Sequence, residues 1–456
     1  FDSMDLQSNN GKDAEKQATR IQLYGIGKNI VIGSNLKYDC SKEVNDDKPI
    51  ELKLWAWDSP VKDIYKKYIN EYCMIHPNVK IQYSEQSFDD FQRILPVAVM
   101  SGQGPDIFAM HNVNTYSFLP FIAEYPEDIF PKDLMAKDYN EANLNKINGK
   151  IYFLQTGTMT SMILYNRKMW QQAGLTDEDI PRTWDELRNI AKKLVKKDQN
   201  GNFQVYGFCF NGASYFINLL NAMDYQKGVF MFDKDGKTPT FNNPITIENA
   251  KYIKSMYDVD DLGDSKGLAA PEMMGQNKAA MIYCWSWVPE YLKENYPGID
   301  IGWFPLPTFD GKVPPAYDRN NVECSLSVNK YIEEEYQQVA FDFLKFLIAN
   351  DDFQAEFAIK NGMYPTKLSV RNHPLISSNP LMNMLASIID RTVWTGPIPS
   401  EYEKIVFNYI EDDILVNNIP VEKALNNALE IAKNDLRKSS FVSQESNYKY
   451  ANEFIK

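Results

Sequence analysis

The constraint that narrows the fold most is an alternation of hydrophobic period that begins at Glu51. Glu51-Leu-Lys-Leu-Trp-Ala-Trp57 repeats every two residues and reads as a strand. Asp58-Ser59-Pro60 stops it, with Ser59 placed to cap and Pro60 to open a helix. Val61, Ile64, Tyr65, Tyr68, Ile69 and Tyr72 then fall on one helical face. Val79 to Tyr83 reads as a strand, and Phe88 to Met100 as a helix kinked at Pro96. Ser101-Gly-Gln-Gly-Pro105 turns into another buried strand, Asp106 to Met110. Strand, helix, strand, helix, strand is the pattern of a doubly wound α/β unit.

A second α/β block follows, to about Pro307. Lys150 to Leu154 and Ser161 to Tyr165 read as strands, and Thr183-Trp-Asp-Glu186 as a capping box for a helix running to about Lys197. Asp198 to Asn202 is a hairpin-like loop before Tyr206 to Phe210. Gln338 to Ile348 and the stretch from Ala424 to Leu436 are apolar helices. Nothing resembles a flexible tether, so the two blocks are joined by short crossovers. Ahead of them, residues 1–20 are polar and read as a mobile end, while Ile21 to Gly27 and Ile30 to Ile32 can pair as short strands.

With 456 residues, 44% hydrophobic and 24% charged, the chain has material for large cores. A net charge of −13 argues against a nucleic-acid partner and against a polybasic membrane surface. No apolar run is long enough to span a bilayer, and no basic-then-apolar leader opens the chain. The five cysteines are scattered without a CxxC and read as isolated thiols. Cys40 follows Tyr38-Asp39, the wrong flank for a lipid-attachment site. His76, His111 and His373 are the only histidines. Asp198-Gln-Asn-Gly-Asn202 and Asp233-Lys-Asp-Gly236 place oxygen ligands near glycine, yet neither continues to the Glu of a calcium loop, so plain turns are the better reading. No metal and no cofactor are expected.

Several short blocks then fall in an order that resembles one family. They are His76-Pro-Asn-Val-Lys-Ile81, Ser101-Gly-Gln-Gly-Pro-Asp-Ile107 and Asn148-Gly-Lys-Ile-Tyr152; Leu164-Tyr-Asn-Arg-Lys168 with Ala173-Gly174 and Arg182-Thr-Trp-Asp-Glu-Leu187; and Asn277-Lys-Ala-Ala-Met281 with Trp287. Ile301 to Pro307 and Ala340 to Leu347 complete the series. From about Glu51 to Lys438 the chain resembles the extracellular solute-binding proteins of carbohydrate uptake, the maltose-binding-protein-like family. It departs from the family's pattern at Asn277, where Gly is usual, and at Trp285, where a Gly often precedes the binding-site Trp.

That resemblance implies an α/β, two-lobe periplasmic-binding-protein-like fold of type II. It implies a ligand cleft between lobes and three crossovers, near 155–160, 308–322 and 362–368. The expected division is an N-terminal extension over 1–49, a first lobe over 50–157 and 312–365, a second over 158–311 and 366–440, and a tail over 441–456. The lobes of such proteins close on the ligand by hinge motion, and the closed form is read by a permease and its ATPase. The native protein is then expected outside the cytoplasm, as a monomeric cell-surface lipoprotein of a Gram-positive bacterium.

A sugar site needs flat aromatic faces for the C–H face of a pyranose, and carboxylates, amides or Arg for its hydroxyls. Trp57 and Asp58 end the first strand, where α/β sheets place ligands. Core packing for Trp57 and helix capping for Asp58 are the alternatives. Gln86 with Glu85 and Ser87 ends the second strand. Asp106 either accepts ligand hydroxyls or holds its turn, and His111 and Asn112 lie just past the same strand. By resemblance, Trp287 is the stacking Trp; Trp285 and Tyr283 point with it by period two, and Arg391 and Trp394 fall where the family brings late residues into the cleft. Glu323, after the second crossover, is a further candidate. Trp184 and Trp303 read as structural.

Three functional classes remain: a binding component of an importer, a glycosidase working through paired carboxylates, and a sugar sensor for a signalling partner. No nucleophile elbow, phosphate loop or GxGxxG favours an enzyme. Eight Trp and 27 Tyr suit an oligosaccharide of two or more neutral units, ahead of a monosaccharide or an acidic sugar.

Overall fold

The computed structural model describes residues 30–455. The chain divides into two compact units. The first ends its opening stretch at Gly157 and resumes over Glu323–Asn379; the second comprises Thr158–Val322 and resumes at Pro380.

In the first unit the strand Ile50–Trp57 is central. It pairs in parallel with Val79–Gln86 on one side and with Ile107–Phe108 on the other, and Ser327–Val328 closes the sheet antiparallel. The period-two pattern does what it predicts. Leu52, Leu54 and Ala56 enter a core with Tyr65, Tyr68 and Tyr72 of the helix Lys62–Ile75 and with Phe343 and Phe346 of the helix Glu334–Ala349. Trp55 and Trp57 pack on the other face against Phe91 and Leu95 of the helix Phe88–Met100, which keeps Pro96 inside it. Ser59 does not cap the first helix. That helix begins at Lys62 behind Val61 without a side-chain cap, and Ser59 contributes its carbonyl to the Lys62 N–H at 3.4 Å.

The second unit is built on an antiparallel sheet in which Ser161–Asn166 lies between Met281–Trp285 and Ile301–Phe304. Every residue of the middle strand is buried. The helix Tyr215–Gln226 is almost wholly interior, and the helices Pro244–Asp258 and Val421–Arg437 accompany it. Thr183 Oγ1 accepts the Glu186 N–H at 3.1 Å to start the helix Trp184–Leu194; Glu186 reaches back to Arg182 N–H at 2.8 Å, so the expected box is displaced by one residue. The Asp198–Asn202 loop joins the strands Lys196–Lys197 and Phe203–Val205 as a hairpin. Tyr206 and Cys209 form isolated bridges to Ala279 and Ile282 in place of a strand over Tyr206 to Phe210.

Four boundaries differ from expectation. Lys150 to Leu154 is not a strand: Ile151 gives its carbonyl to Tyr125 N–H and Leu154 gives its N–H to Ser325 Oγ, and regular pairing begins at Gln155–Met159. The second passage between units comes at Val322/Glu323, not at 311/312, because Asp318–Cys324 is one continuous strand whose first residues pair in parallel with Thr392–Trp394. The third comes at Asn379/Pro380, not at 365/366. Lys367 is fully buried in the first unit, donating to Ile348 O at 2.9 Å and Asp351 at 2.7 Å. Residues 441–455 are no loose tail, since Glu445 accepts from Tyr225 OH, Met231 N–H and Phe232 N–H at 2.8, 2.8 and 3.1 Å, and Phe441 and Phe454 are buried.

Residues 30–49 belong to the first unit. Val31–Gly33 pairs antiparallel with Lys37–Asp39, while Ile21 to Gly27 lies outside the described residues. The Asp138 carboxylate accepts Asn35 N–H, Asn35 Nδ2 and Leu36 N–H at 3.1, 2.9 and 2.8 Å. Tyr38 donates to Asp342 at 2.7 Å and lies 2.6 Å from His76 Nε2. Among the described residues no helix is long and apolar enough to cross a membrane.

Candidate functional site

In the first unit, candidate residues gather where parallel strands end. Trp57 makes edge-on contacts with Phe88, Phe91 and His111 at ring-centroid distances of 5.3, 5.4 and 5.8 Å. Trp57 thus combines the packing reading with a half-buried face. Asp58 is exposed, and its N–H donates to Gln86 O at 2.7 Å, which ties the two strand ends together. Gln86 Oε1 is buried without a hydrogen-bond partner. Glu85 pairs with Lys62 at 2.7 Å, and Ser87 caps the helix Phe88–Met100.

The His111 ring lies 5.0 Å from that of Phe88, and its Nδ1 accepts the Val113 N–H at 3.2 Å. Burial lowers its pKa to about 4, so at neutral pH it is an uncharged imidazole carrying its proton on Nε2. Asp106 accepts the Lys53 N–H at 2.7 Å and donates its own N–H to Lys53 O at 2.9 Å. One of its carboxylate oxygens therefore fastens the Gly-Pro turn to the central strand, and burial raises its pKa. Glu323 opens the returning stretch of this unit; burial pushes its carboxyl up to about 8, against one backbone N–H from Cys324. Its Cβ and the side chain of Met363 flank Gly157 so closely that a Cβ there would lie 3.1 Å from Met363.

In the second unit, Met281–Trp285 delivers Trp285 and then Trp287 at the start of the helix Val288–Asn295. Trp287 is 37% exposed and meets Tyr291 edge-on at 5.6 Å. Tyr291 is fixed in turn by Glu272. Trp285 is 6% exposed, and its ring lies 5.3 Å from the Arg319 guanidinium. Trp394 is half-buried with its Nε1 unpartnered.

Two expectations for this unit are corrected. Tyr283 is fully buried and its hydroxyl is already spent on Asp318 at 2.7 Å, so it is a core residue. Period two placed it with Trp285, but the strand is interior at that point. Arg391 is committed elsewhere: it pairs with Glu453 at 2.7 Å and lies 3.6 Å from the Tyr450 ring centroid. It braces the C-terminal segment, which was read as a tail. Trp184 is structural, donating to Gln226 at 2.9 Å in the core.

Sequence reasoning missed Arg319, Asp318 and Glu411. Asp318 accepts from Ser161 and Tyr283 with no exposed surface, and burial raises it to about 6. Glu411 faces the N–H groups of Gly212, Ser214 and Phe216 at the start of the helix Tyr215–Gln226, and burial raises it to about 8. The run Ala316-Tyr-Asp-Arg-Asn-Asn321 falls in the crossover expected near 308–322, and nothing in it shows that its charges are interior. A hollow lined by Phe230, Phe232, Pro244, Val442 and Phe454 also lies in this unit and contains none of the candidates. The two loops considered for calcium spend their carboxylates on their own N–H groups: Asp198 on Asn200 and Asn202, Asp235 on Lys237 and Thr238.

The profile of the family described as "Bacterial extracellular solute-binding protein" matches residues 58–352. The maltotriose-binding protein of Pyrococcus abyssi is 24% identical over 328 residues, 70% of this chain and 67% of that one. The arabinooligosaccharide-binding protein of Bacillus subtilis is 26% identical over 227 residues, so that the chain spans about half the length of that relative. The diacetylchitobiose-binding protein DasA of Streptomyces coelicolor is 23% identical over 336 residues, 71% of this chain and 74% of that one. Among solved structures, the maltose/maltodextrin-binding domain MalE of Bdellovibrio bacteriovorus, bound to maltotriose, superposes with a TM-score of 0.71 at 20% identity, covering 85% of this chain and all of that one. The substrate-binding protein Lmo0181 of Listeria monocytogenes, in complex with cycloalternan, gives 0.70 at 18%, covering 86% and all. At these identities the structural likeness is one of fold. The sequence profile carries the assignment: the chain belongs to the bacterial extracellular solute-binding protein family.

Proposed function

We propose that this protein is the extracytoplasmic substrate-binding component of an ABC importer, and that it captures an oligosaccharide without turning it over and delivers it to the permease subunits. The observation that carries the reading is the exposed Trp287, held by Tyr291 at a strand end, in a chain of this family. A ring so placed presents the flat apolar face that a pyranose stacks on. Trp57 and the neutral His111 offer a second aromatic edge with a hydrogen-bonding tip in the first unit. The saccharides named for the relatives from Pyrococcus, Bacillus and Streptomyces support the same class.

The protein acts as a monomer at the outer face of the membrane of a Gram-positive cell. Any lipid anchor is carried on a cysteine other than Cys40, whose thiol is fully buried in the first unit. The test is thermal melting against maltotriose, arabinotriose, diacetylchitobiose and mannobiose, with product analysis after incubation. A ligand at a hundred times its dissociation constant adds about 2.7 kcal/mol of stability. A shift with one glycan and no product is expected; no shift with any of them, or hydrolysis, refutes the reading.

A further inference from the structure

Around Arg319 the second unit holds a set of buried polar atoms whose hydrogen bonds are unmade. Arg319 is 9% exposed. Its Nη2 donates to Asn218 at 2.8 Å, its Nη1 lies 3.5 Å from Glu403, and the rings of Trp285 and Phe407 lie 5.3 and 5.8 Å from it. These contacts fix the fork and leave Nε–H without a partner. Trp285 Nε1, beside it, has none either. Nor do Ser286 Oγ, next in the chain, and Tyr402 OH, next to Glu403. Buried donors are nearly always paired, and orphans of this kind call for an explanation. Here two of them, Arg319 Nε and Trp285 Nε1, belong to side chains that face each other.

The two best-fixed groups, the guanidinium and the indole, donate and cannot accept. Whatever meets them brings lone pairs. The charge of Arg319 is already faced by Glu403 and by the adjoining Asp318, so an anionic group entering here would meet two carboxyl groups. A hydroxyl, ring or glycosidic oxygen meets the donors without that opposition. Trp287, two residues beyond Trp285 in the chain, is 37% exposed.

We infer that Arg319 Nε–H and Trp285 Nε1–H are ligand-binding donors, and that they select neutral saccharide oxygens over a sugar carboxylate. The assignment rests on the sugar-binding reading above and adds two residues' roles to it.

The experiment is titration calorimetry of the full chain with whichever of the four named glycans shifts its melting, on wild type, Trp285→Phe and Arg319→Lys. Trp285→Phe keeps an aromatic ring and removes only the N–H. Arg319→Lys keeps the charge and loses the fork. A loss of about 5- to 30-fold in affinity is expected for each, the worth of one hydrogen bond, with the Trp285→Phe melting point close to wild type. Unchanged affinity in Trp285→Phe overturns the assignment, with a lowered melting point then assigning the orphans to structural water. Tighter binding of a digalacturonate than of the neutral glycan overturns the selectivity. A wild type that binds none of the four removes the parent reading and this one with it, whereas a wild type that binds while both variants bind equally well removes this one alone.

Discussion

Trp287→Ala is the perturbation whose size follows most directly from the geometry. A tryptophan side chain offers on the order of 250 Å², and Trp287 leaves 37% of its surface exposed. A stacked sugar can therefore cover roughly 90 Å² of ring. At about 25 cal/mol per Å² this is roughly 2 kcal/mol, and tenfold in affinity corresponds to about 1.4 kcal/mol. Calorimetric titration should then show binding weakened by about 30-fold. Among the described residues the ring's aromatic neighbour is Tyr291, which meets it edge-on and which Glu272 holds independently, so the neighbouring ring stays in place on truncation. Trp287→Phe should recover part of the loss, because a smaller ring still covers part of the sugar face. Equal affinities for wild type and Trp287→Ala, with matching far-UV spectra, would sink both the area argument and the placement of the ligand.

Three further outcomes concern stability. Glu323 is raised to about 8 by burial, so its favourable protonated state is fully present below the unfolded value near 4.5 and is lost as pH climbs through 8. Glu323→Gln should accordingly melt like wild type at pH 4.5 and above it at pH 8.5; a difference that does not change with pH would contradict the burial argument. Gly302→Ala places a methyl 2.3 Å from the Tyr165 ring across the register pair, and denaturant titration should show a loss of about 1–3 kcal/mol. Asp138→Ala orphans three donors from Asn35 and Leu36, and limited proteolysis should cut near residues 33–40 far sooner than in wild type.

The fold was legible wherever one face of an element is buried. Leu52, Leu54 and Ala56 announced the central strand, and the tyrosines of Lys62–Ile75 announced its helix, because burial on one side imprints a period. Boundaries were misread where burial is two-sided or supplied from far along the chain. Lys367 looks like a surface residue in sequence, yet three oxygens, at residues 348, 349 and 351, enclose its ammonium. The C-terminal segment looks polar, yet Glu445 holds it by accepting hydrogen bonds from residues more than 200 positions earlier. Trp287 was picked out by the resemblance of the Asn277–Met281 block, and its ring is 37% exposed. The buried charges were not readable: Arg319 and Glu411 meet partners about 84 to 200 residues away in sequence, and Arg391, the arginine that the resemblance favoured, spends its charge on Glu453.

The division of the first unit into two stretches has a consequence for how the protein is made. Its central strand, Ile50–Trp57, and the helix Glu334–Ala349 that covers one face of that strand's sheet are separated by the first stretch of the second unit, Thr158–Val322. At roughly 5–20 residues per second of synthesis, roughly 15–60 s pass between them. During that interval the N-terminal half has no complete core to collapse onto, while its apolar sheet face waits for a helix not yet translated. The first unit therefore cannot complete its core for most of the chain's synthesis. That delay is a hazard for a protein that folds where it is made, and an advantage for one that has to be threaded through a membrane first.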